Sequence, residues 1–84
     1  MENEITIKYV NEHDIRFIIL KDGHFYTLKF QKNEHNSWTA TIGNIQSENL
    51  IPYLLEILFQ DAQTLNLLNE LQVPMDIPVL SVTH

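Results

Sequence analysis

Apolar and polar residues take turns along the first half of the chain. Ile5-Thr6-Ile7-Lys8-Tyr9 alternates and is rich in β-branched and aromatic types, the pattern of a strand with one buried face. It predicts Ile5, Ile7 and Tyr9 pointing inward. Asn11-Glu12-His13-Asp14 then supplies turn chemistry, because Asn and Asp side chains bond their own backbone and tolerate left-handed conformations. Ile15-Arg16-Phe17-Ile18-Ile19-Leu20 is apolar on both faces in its second half, which suits a central strand. Asp22-Gly23 is the strongest hairpin signal, since a type I′ turn needs positive φ at both central positions. Residues 24–31 set Tyr26, Leu28 and Phe30 against Thr27, Lys29 and Gln31, and Trp38-Thr39-Ala40-Thr41-Ile42 alternates once more before Gly43-Asn44. Four strands at 4–10, 15–21, 24–31 and 38–42, joined by short turns, predict an antiparallel meander.

After Ser47 the period changes. Leu50, Ile51, Leu54, Leu55, Ile57, Leu58, Phe59, Ala62, Leu65, Leu67, Leu68 and Leu71 recur at three- and four-residue steps, which predicts helix over 49–71. Ser47 or Asn49 can cap its start, Glu48 sits near the positive end, and Pro52 is tolerated in a first turn. Asp61 can cap a second helix, so the pattern admits one bent helix or two short ones packed on one sheet face. Pro74 and Pro78 exclude helix from the tail, and Val79-Leu80-Ser81-Val82-Thr83 alternates well enough to serve as a fifth strand, on this sheet or a neighbour's edge. The expectation is a single α+β domain over 1–84: a four-stranded meander, a helical segment, and an extended tail at 74–84.

The faces of these elements do not balance. If Ile15, Phe17 and Ile19 face the helices, then Ile18, Leu20 and Phe25 lie on the other side. The apolar residues of 50–59 likewise fill more than one ~100° stripe of a helix. The predicted interaction surface is Ile18, Leu20, Phe25, Leu50, Leu54, Ile57, Leu58, Val79 and Leu80, covered by a second copy, by another protein, or by the chain's own tail from Ile77 to Val82. A domain of 84 residues buries only about 60–65% of the surface its unfolded chain exposes, so a homodimer is the first oligomer to expect.

Charge and composition narrow the function. Eleven acidic against five basic residues give a net charge of -6, which disfavours nucleic acid and anionic membranes and favours a basic partner. A small acidic inhibitor or immunity-type protein is one form of that expectation. With no cysteine, disulfides, thiolate metal sites and cysteine nucleophiles are excluded. The acidic start and the absence of a run of roughly 20 apolar residues predict a cytoplasmic protein without a signal peptide or membrane span. The balance of Ile, Asn and few Lys or Arg fits a bacterial or bacteriophage accessory protein.

Candidate chemistry is sparse. Ser37, Ser47 and Ser81 lack the context of a nucleophile, and Gly23 and Gly43 stand at turns, not in a phosphate-binding loop. Trp38, Tyr9, Tyr26 and Phe30 could line a ligand pocket, but at strand spacing they read as core. One echo stands out: Asn11-Glu12-His13 recurs as Asn33-Glu34-His35, each after a similar strand, and both loops belong to the same end of a meander. His13, His35, Glu12 and Glu34 are therefore the weak candidates for a metal or acid–base site, and ordinary turn chemistry is the competing explanation. No cofactor is expected. The function expected is a non-enzymatic protein-interaction module, with a metal-binding protein or enzyme built on the two loops as the alternative.

Overall fold

The computed structural model describes residues 3–45 and 47–82, the last of these by backbone alone. Four antiparallel strands, β1 (Glu4–Val10), β2 (Asp14–Lys21), β3 (His24–Lys32) and β4 (Trp38–Gly43), are followed by helices α1 (Ile51–Gln60) and α2 (Ala62–Glu70) and by β5 (Val79–Val82). The strands form one sheet in the order β1-β2-β3-β4-β5, with β5 parallel to β4. Parallel neighbours need a long crossover, and the two helices provide it. The tail is thus a fifth strand of its own sheet.

Local chemistry accounts for each boundary. Asp22 (φ 53°) and Gly23 (φ 82°) carry the two left-handed conformations of the β2–β3 turn. Ser47 accepts a hydrogen bond from the Asn49 backbone N–H and opens a 3₁₀ turn over Glu48–Leu50, which leads into α1 with Pro52 in its first turn. The helical segment is two helices. At Asp61 the backbone turns extended (ψ 115°), and the freed carboxylate accepts from the Thr64 N–H at 3.0 Å and from the Thr64 hydroxyl at 2.7 Å. α2 ends at a left-handed Gln72 (φ 60°), where the Val73 N–H donates to the Leu68 carbonyl and the Gln72 N–H to the Asn69 carbonyl. That is a Schellman motif, and its usual hydrophobic contact is supplied by the buried pair Leu68 and Val73.

The core lies between one sheet face and the helices. Ile15, Phe17 and Ile19 of β2, Tyr26, Leu28 and Phe30 of β3, and Ala40 and Ile42 of β4 are buried in one cluster with Leu54, Leu58, Leu68 and Val73. Phe17 and Phe30 meet edge to face at 6.0 Å. Each large side chain taken fully from water contributes roughly 1.5–3 kcal/mol, so this cluster dominates stability.

Three expectations are corrected. Leu54 and Leu58, placed on the interaction surface by the sequence pattern, are fully buried and belong to the core. Leu50, Ile51, Leu55, Ile57 and Phe59 pack half-buried around that core, so the excess apolar surface expected on the helix is largely absorbed by it. Tyr9 does not point inward. A bulge at Lys8 shifts the register, so that Ile7 stands opposite Phe17 while Tyr9 stands opposite Arg16. One extra residue in a strand sends every following side chain to the opposite face.

Candidate functional site on the open sheet face

Both helices cover the same side of the sheet, so the register defines what the other side presents. Cross-strand partners share a face, and this gives rows running across the strands. Glu4, Leu20 and Phe25 form the row nearest the Asp22–Gly23 turn; Thr6, Ile18, Thr27 and Gly43 form the next; Tyr9, Arg16, Lys29, Thr41 and Leu80 form the third. The described part of the tail, to Val82, does not cross this face, because β5 lies in the plane of the sheet beside β4. Phe25 is 61% exposed and Leu80 64% exposed, while Ile18 and Leu20 are half-buried by their neighbours.

The face divides into an apolar end and a basic end. Ile18, Leu20 and Phe25 make the first. At the second, Lys8, Arg16 and Lys29 border a shallow open depression together with Tyr9, Thr27, Thr41 and one carboxylate, Asp14. Gly43 lines it as well, and its lack of a side chain matters: a Cβ there would stand 2.8 Å from the Thr27 hydroxyl oxygen. Arg16 lies over the Tyr9 ring at 5.5 Å from its centre and forks onto Asp14, donating at 3.2 and 3.1 Å. The hydrogen bond and attraction to Asp14 push the Arg16 guanidinium above its ordinary pKa. Among the described residues Lys8 and Lys29 have no ion-pair partner.

The other sequence-predicted residues lie elsewhere. Val79 packs half-buried against the core, as do Leu50 and Ile57. The two Asn-Glu-His loops are at one end of the sheet, tied by the Lys32 N–H donating to the His13 carbonyl at 2.8 Å. Their recurrence has a backbone cause. The Asn11 side chain accepts from the His13 N–H at 2.7 Å, and Asn33 accepts from the His35 N–H at 2.8 Å, so each loop is an Asx turn. Glu12, His13, Glu34 and His35 are all exposed, and the closest approach is His35 to Glu34 at 3.9 Å. Among the described residues no three His, Asp or Glu side chains come together in a metal-binding group, and no described helix is long and apolar enough to cross a membrane.

The basic end went unread in the sequence although its signal is plain there. All five Lys and Arg fall between residues 8 and 32, and the alternation alone sends Arg16 and Lys29 outward. The alternation sends Lys8 outward too, and only Tyr9 could not be assigned without the bulge. Comparison with family models, with curated proteins and with solved structures finds no match.

Proposed function

We propose that this chain is a non-enzymatic protein-interaction module that forms a homodimer through the apolar end of its open sheet face. The observation that carries the reading is the position of β5: the tail extends the sheet instead of covering it, and leaves Ile18, Leu20 and Phe25 facing solvent opposite the helices. A two-fold axis near the Leu20–Phe25 pair brings two such ends together and sends the two basic ends in opposite directions, which keeps their like charges apart. A patch of this size supports weak, concentration-dependent association and not an obligate dimer.

Size-exclusion chromatography with light scattering tests the proposal. The native chain should move from monomer to dimer as concentration rises, and Phe25→Asp should stay monomeric. Because Phe25 is mostly exposed, that variant should unfold within about 0.5 kcal/mol of the native chain. A native chain that remains monomeric at millimolar concentration, or a Phe25→Asp variant that still dimerises, removes the reading.

A further inference from the structure

We infer that the basic end of the open sheet face is a docking site for an acidic segment of a partner protein. The inference takes from the proposed function only that this face binds protein; it does not need the homodimer.

The first ground is an unfavourable arrangement that stability does not explain. Arg16 and Lys29 are direct cross-strand partners, and Lys8 adjoins them in the bulge. Like charges placed opposite each other destabilise a sheet. A chain with eleven acidic residues has carboxylates enough to neutralise such a cluster, yet among the described residues only Asp14 pairs with it, and only through Arg16. Lys8 and Lys29 are left without ion-pair partners among the described residues.

The second ground is the shape of the site. The depression is shallow and open, so a lone small anion there would stay largely hydrated and screened. An extended segment with several carboxylates can reach Lys8, Arg16 and Lys29 at once while the hydroxyls of Thr27 and Thr41 remain available to it. In the next row Ile18 stands between Thr6 and Thr27, so a single apolar side chain of the segment has a partner beside the basic row. Single-stranded nucleic acid fits less well. The Tyr9 ring is already engaged by Arg16 in place of a base, and the whole chain carries -6.

Fluorescence anisotropy with a labelled short oligoglutamate peptide tests this on the full chain, with an oligothymidylate of similar length as the contrast. Oligoglutamate should bind at about 20 mM salt and lose affinity steeply toward about 200 mM. The double substitution Lys8→Gln, Lys29→Gln keeps both side-chain stems in place and should weaken binding about tenfold. Asp14→Asn frees Arg16 from its internal carboxylate and should tighten binding a few-fold, which a purely structural role for these residues would not produce. No binding at low salt, equal binding by the double variant, or a preference for the oligothymidylate each overturns the proposal. Phe25→Ser, which adds no charge to the face, distinguishes the two readings: it should weaken the dimer and leave oligoglutamate binding unchanged.

Discussion

Among the described residues four non-glycine ones, Asp22, Asn36, Asn44 and Gln72, hold positive φ, and three of them are Asp or Asn, whose short side chains tolerate that region. Gln72 is the exception. It sits at the position after α2 where glycine is preferred, and its left-handed backbone is held by the two Schellman hydrogen bonds and the Leu68–Val73 contact. Its side chain is exposed, so nothing is lost with it. Gln72→Gly should therefore stabilise the chain by about 0.5–1 kcal/mol, read as a higher urea midpoint at unchanged slope. A lower midpoint would mean that the entropy of the extra glycine in the unfolded chain outweighs relief of the left-handed strain.

The helical segment turns on one residue. Asp61 ends α1, starts α2, and satisfies both the backbone N–H and the hydroxyl of Thr64, a polar side chain that is fully buried. Asp61→Ala removes the cap, worth ~1 kcal/mol, and leaves a buried hydroxyl without its partner, worth a further ~1–3 kcal/mol. A loss of about 2–3 kcal/mol in urea denaturation is expected, and Asp61→Asn, which can still accept from Thr64, should recover much of it. The sequence already marks this junction, as it marks the Asp22–Gly23 turn, because both rest on side chains acting within a few residues. What it hides depends on pairing between distant segments. The bulge at Lys8 is visible only once β1 is laid against β2, and it alone moves Tyr9 from the core to the basic row. The direction of β5 is hidden for a similar reason, since alternation reads the same for parallel and antiparallel strands.

At the scale of the molecule, net charge conceals a segregation. Residues 33–84 contain Glu34, Glu48, Glu56, Asp61, Glu70 and Asp76 but no Lys or Arg, while every cation stands on β1, β2 or β3. The overall value of -6 points to a basic partner, and the open sheet face, once its register is known, has the opposite local sign. This distribution also sets the response of stability to salt. The ion pairs among the described residues are Arg16–Asp14 and Lys21–Asp22, joined by His35–Glu34 when the imidazole is protonated, all at the surface, where such pairs contribute little. Against them stand the carboxylates around the helices and the Arg16–Lys29 cross-strand pair, which Asp14 relieves only on the Arg16 side. Repulsion is thus the larger electrostatic contribution, and raising ionic strength shortens the screening length from about 30 Å at 0.01 M to about 3 Å at 1 M. Thermal melts by circular dichroism should show the midpoint rising with sodium chloride. A gain of about 1 kcal/mol corresponds to roughly 4–8 °C for a chain of this size. A midpoint that falls with salt would mean that the surface ion pairs outweigh the crowded charges, and would remove the first ground for reading the basic row as a binding site.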